Sequence, residues 1–179
     1  LHSKHSNRPE EWLFRKIGVA KSYTDPRELY DAMIAKGFPF FTLTDHHTID
    51  GLLPLEGLPG VFFSEQVTSY FPEDSVPVEL LVWGITFDQH REILSIRENL
   101  YELQAYLESQ QITHAVAHPF FVPDTRMQTV HVEKLLLLFK HFETLNKSVI
   151  SLLEQTNRFS RMAMAQRSMS EIEENVVES

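Results

Sequence analysis

Phe40-Phe41-Thr42-Leu43-Thr44-Asp45-His46-His47 is the stretch on which the reading of this chain turns. Its first half is an apolar run bounded by Gly37 and Pro39, the pattern of a strand buried on both faces, as in parallel sheets. Its second half places Asp and His where that strand would end. Barrels and open sheets of the α/β class build their active sites at the carboxyl ends of strands. The arrangement recurs twice. Val61-Phe62-Phe63 runs into Ser64-Glu65, and the apolar stretch 112–117 runs into His118-Pro119. Three metal-competent side chains at three predicted strand ends point to a metal-dependent hydrolase.

Outward from these strands, helices alternate with them. Asn7 can cap a helix reaching toward Gly18, and Thr24 or Asp25 with Pro26 opens a second one toward Gly37. Residues 70–75 have turn composition, and 80–83 continue as a strand. Ile93, Ile96, Leu100, Leu103 and Leu107 recur at three- and four-residue spacing, which predicts one long helix over 88–110. A helix over 132–139, a strand over 141–145 and helix from 148 onward follow. Such alternation predicts an α/β fold, a parallel sheet or barrel with right-handed crossovers.

Length and composition bound the rest. The chain has 179 residues, 42% of them hydrophobic and 23% charged, the make-up of one ordinary globular domain. Residues 1–169 are expected to form that domain, and the Glu-rich stretch 170–179 an acidic tail. No window approaches the apolar length of a membrane span, so a cytoplasmic protein is expected. The formal net charge of −9 argues against nucleic-acid binding, which needs basic surface. With no cysteine, a metal site must be built from His, Asp, Glu and Asn. The sequence opens on Leu1-His2 without Met, inside an apolar–histidine pattern, and is expected to be cut from something longer.

His2, His46, Glu65, Glu79 and His118 form a sulfur-free donor inventory that suits a cluster of divalent ions. Zinc, manganese and iron all suit these donors. Ions a few ångströms apart are a known device for phosphoester hydrolysis, in which the only catalytic group needed is metal-activated water. Asp45 either ligates or orients its neighbours. Lys4 and Arg8 are placed to hold a substrate phosphate. His90, His131 and His141 have no motif around them and read as ordinary surface or helix residues, and His114 reads as packing within a strand.

Four segments together resemble successive motifs of the PHP (polymerase and histidinol phosphatase) family. They are Leu1-His2-Ser3-Lys4-His5-Ser6-Asn7, Leu43-Thr44-Asp45-His46-His47, Ser64-Glu65-Gln66-Val67-Thr68 and Ala117-His118-Pro119. Order and spacing agree over residues 1 to about 145, and Leu81-Val82-Trp83-Gly84 is most similar to members found beside glycosyltransferase genes. The resemblance implies a distorted, seven-stranded TIM-like β/α barrel, up to three divalent metals and phosphoesterase activity on a small-molecule phosphoester. It also implies roles by position: His2 and His46 as ligands, Glu65 as a bridging ligand, His118 as the Ala-His-Pro ligand.

The pattern is incomplete. The family's first histidine would precede Leu1, and its closing Asp-x-His does not follow the segment containing Phe142-Glu143. Asn7 stands where many members carry an aspartate, and Glu79 where they usually carry a histidine. The barrel is therefore expected to be incomplete in this chain. Two function classes follow: a fragment of a metal-dependent phosphoesterase, or a catalytically degenerate PHP-like binding or regulatory module.

Overall fold

The computed structural model describes residues 2–6, 25–118 and 127–143. The chain divides into two units, Leu1–Ala115 and Val116–Ser179. The helix expected over 7–18 and everything expected from 144 onward, the acidic tail included, lie outside the described residues.

In the first unit, α1 spans Pro26–Ala35. Asp25 starts it by accepting the Arg27 amide at 2.9 Å, with proline at the first helical position, where a missing N–H costs nothing. Gly37, at φ +83°, turns the chain out of the helix. Tyr30 then packs with Phe41, Leu43, Leu52 and Leu55 in one buried cluster, its ring edge-on to Phe41 at 5.6 Å. The stretch 40–44 makes no continuous ladder. It touches its neighbour through isolated parallel bridges, Phe41 to Val61 and, just beyond it, His46 to Gln66.

The regular sheet has three strands in the order β1-β2-β3: Ser64–Tyr70, Pro77–Trp83 and Thr113–Val116. β1 and β2 pair antiparallel, Ser64 opposite Trp83 and Tyr70 opposite Pro77. This corrects the expectation of parallel pairing throughout. Only residues 71–76 separate the two strands, and a parallel crossover needs about a dozen residues or more. The turn composition of 70–75 therefore marks a hairpin. The described residues are a mixed α/β arrangement around this small sheet, and among them no closed barrel is formed.

The helix expected over 88–110 is two helices, α2 (Phe87–Ile96) and α3 (Leu100–Ser109). Asn99 divides them: its backbone is extended, and its side chain accepts the amides of Tyr101 and Glu102. The apolar spacing runs through the break unchanged, which is why periodicity alone reads one helix. Ile93, Leu100, Leu103 and Leu107 are fully buried.

In the second unit, Val116 bridges Phe142 in parallel, Val116 N donating to His141 O and Glu143 N to Val116 O. The strand expected over 141–145 is described only to residue 143. α4 spans Thr129–Leu138, beginning close to where the sequence places it and burying His131 and Leu135. No helix among the described residues is long and apolar enough to cross a membrane.

Candidate metal centre

The Thr-Asp-His segment is fixed beside β1 by backbone bonds. Gln66 N donates to Asp45 O at 3.0 Å and His47 N to Gln66 O at 2.9 Å. His47 takes φ +56°, a left-handed conformation uncommon outside glycine, and His46 before it is fully buried. The His2 ring lies flat on the His46 ring, centroids 4.9 Å apart and planes within 9°.

What brings His2 there is Asp45. Ser3 N and Ser3 Oγ each donate to one oxygen of the Asp45 carboxylate, both at 2.5 Å, with both residues buried. The turn closes on itself through Ser6 N to Ser3 O, and His46 N donates to Ser6 Oγ at 3.1 Å. Both oxygens of Asp45 are thus engaged in anchoring residues 2–6 against His46. Gly51 leaves the room for it: a Cβ there would lie 2.6 Å from Asp45 Oδ2 and 2.7 Å from Ser3 Oγ.

Glu65, on β1, is fully buried. Its Oε1 lies 3.0 Å from His90 Nδ1, while Oε2 has no hydrogen-bond partner among the described residues. Burial pushes the Glu65 carboxyl above the usual carboxylate range, and the hydrogen bond and charge of His90, with the more distant Arg97, oppose that push. His90 sits on the first full turn of α2, which starts from a capping box between Thr86 and Gln89. No sequence motif surrounds this histidine. The signal for it is its place three residues before Ile93, on the buried stripe, where a polar group must find a partner.

Glu79 lies elsewhere. It is opposite Thr68, whereas Glu65 is opposite Val82, so strand alternation puts the two glutamates on opposite faces of the hairpin. Glu79 accepts the Gln66 side-chain amide, and His46, bridged to Gln66, shares that face. Lys4 is exposed and paired with Asp25 at 2.9 Å, and its hydrogen bond is the main cause of the lowered Asp25 pKa. Asn7 and Arg8 lie outside the described residues. His118 belongs to the second unit, where it takes φ +27° and its N donates to Glu143 Oε2 at 2.9 Å. His114 is buried with Nδ1 against Ile112 O. His131 is also buried, its Nδ1 accepting the Gln128 amide at 2.9 Å, so of the two readings it is the helix residue and not the surface one.

No family model matches the chain, and no curated protein matches it. A solved structure from Bifidobacterium adolescentis, provisionally named a metal-dependent phosphoesterase, superposes with a TM-score of 0.51. The alignment covers 81% of this chain and 79% of that one at 12% identity. The likeness is one of fold.

Among the described residues no three His, Asp or Glu side chains are grouped to hold a metal ion. The donor chemistry nonetheless fits a hard or borderline cation at one atom. Glu65 Oε2 is a carboxyl oxygen removed from water with no donor among the described residues, and its ionised form would need a compensating charge there.

Proposed function

We propose that this chain is a metal-dependent phosphoesterase of the PHP type, acting on a small-molecule phosphoester. The observation that carries the proposal is Glu65, buried in the sheet with one oxygen tied to His90 and the other without a hydrogen-bond partner among the described residues. Its support is the motif order in the sequence and the fold-level likeness to a provisionally named metal-dependent phosphoesterase. On this reading the fold is a distorted seven-stranded barrel, and His2, His46, Glu65 and His118 are ligands, with Asn7 and Glu79 as variant donors.

Divalent cations, when bound, supply the positive charge that activates water and stabilises the leaving oxygen. The chain's own residues prepare the place. Asp45 anchors the 2–6 segment through Ser3 and so sets the His2 ring against His46. Glu65 sits in a dry setting, where the attraction between its ionised form and a bound cation would be far stronger than at the surface. The net charge of −9 suits a small phosphoester, brought in with its counter-cation, better than a polyanion.

The test is turnover of a generic aryl phosphate by the Mn2+-loaded chain, beside Glu65→Ala and His118→Ala. Loss of activity in both variants is expected, and undiminished turnover in either would sink the reading. Two observations favour a second reading, a binding module without catalysis. Glu65 and Glu79 stand on opposite faces, and no three donors converge among the described residues. That reading predicts one tightly held metal at most and no turnover.

A further inference from the structure

A carboxylate with one oxygen held by a fixed neighbour presents its other oxygen in a set direction. In this chain one oxygen of Glu65 is already engaged. Oε1 meets His90 Nδ1 at 3.0 Å in a buried contact, and Oε2 has no hydrogen-bond partner among the described residues. The histidine is held in place independently of Glu65. It rides on a helix whose first turn is fixed by the reciprocal Thr86–Gln89 box, its ring lies 6.4 Å from that of Phe87, and it is 8% exposed.

We propose that His90 is a positioning residue that donates Nδ1–H to Glu65 Oε1 and so sets Oε2 as the oxygen that Glu65 turns toward a cation. The inference rests on the metal-dependent reading of the site. Hydrogen bonds of this kind behind a ligand fix its orientation, and their removal commonly weakens metal affinity by about 10–100-fold. The same bond fixes the tautomer of His90, with the proton on Nδ1.

The experiment titrates the full chain with Mn2+ alone by calorimetry, comparing wild type, His90→Asn, His90→Ala and Glu65→Ala. Asparagine loses the ring but keeps a donor near the Nδ1 position. His90→Ala is expected to weaken binding by about 10-fold or more, and His90→Asn to restore most of it. Glu65→Ala is expected to lose the binding that His90→Ala weakens. Nitrogen NMR of the metal-free wild type should show His90 protonated at Nδ1. Unchanged affinity in His90→Ala, or an Asn variant as weak as the Ala variant, overturns the inference. So does a His90 ring protonated at Nε2 in the metal-free wild type, or a Glu65→Ala protein that binds Mn2+ as tightly as wild type. A wild-type chain that binds no Mn2+ overturns the phosphoesterase reading as well. A wild type that binds Mn2+ with an indifferent His90 overturns this inference alone.

Discussion

Gly51 and Glu65 are the two residues at which one atom decides the outcome. At Gly51 a methyl group would meet Asp45 Oδ2 at 2.6 Å, Ser3 Oγ at 2.7 Å and Leu43 Cδ1 at 3.1 Å. These are the parts of the anchor that holds His2 on His46, and they are buried, so they cannot simply move into water. Gly51→Ala is expected to destabilise the fold by about 1–3 kcal/mol, the usual cost of overpacking, read by urea unfolding. At Glu65 the effect is electrostatic. A carboxyl whose pKa is raised on folding binds its proton more tightly in the native state than in the unfolded chain. Its ionisation therefore costs native stability at neutral pH. The cost disappears as pH falls through the raised native value to the ordinary one. In the metal-free protein Glu65→Gln is thus expected to be more stable than wild type near pH 7, with no advantage below about pH 4. A Glu65→Gln protein less stable than wild type at neutral pH would show that the His90 contact outweighs burial.

At the scale of elements, the site depends on how helices begin. Thr86 accepts the Gln89 amide and Gln89 returns the bond to Thr86 N, which sets the first turn of α2 and with it the direction of His90. Thr86→Ala should cost about 1 kcal/mol in unfolding experiments and loosen His90 from Glu65, seen as faster exchange of the His90 amide. The same logic explains what the sequence made legible. Asp25-Pro26 and Gly37 mark α1 by chemistry that is local, and α1 lies where they place it. The break between α2 and α3 was hidden because Asn99 acts on amides that periodicity does not see. The β1–β2 hairpin was hidden because buried runs look alike in parallel and antiparallel sheets. Only the brevity of 71–76 distinguished them. Within the site, the Thr-Asp-His stretch announced itself through its place behind an apolar run. Ser3, Gly51 and His90 did not, since each matters through a contact distant in sequence: Ser3 with Asp45, Gly51 with both, His90 with Glu65.

For the molecule as a whole, charge and metal are one question. The chain carries a formal net charge of −9, and its sheet buries the Glu65 carboxyl, whose protonated form burial favours and whose ionised form a nearby cation would favour. A ligand that binds the native state and not the unfolded one stabilises folding by RT ln(1 + [L]/Kd), which is about 2.7 kcal/mol at a hundred times Kd. Mn2+ should therefore raise the melting temperature above that in a chelator, and the increment should grow with the logarithm of its concentration. Surface carboxylates bind cations weakly and are screened by salt, so an increment that survives about 0.15 M salt comes from a desolvated site. Glu65→Ala, which leaves the surface acids in place, should abolish the salt-resistant part. If that variant keeps the full increment, the cation binds elsewhere and the buried carboxylate is a structural group with His90 as its partner. If wild type shows no increment at all, cation charge is no part of how this fold is held.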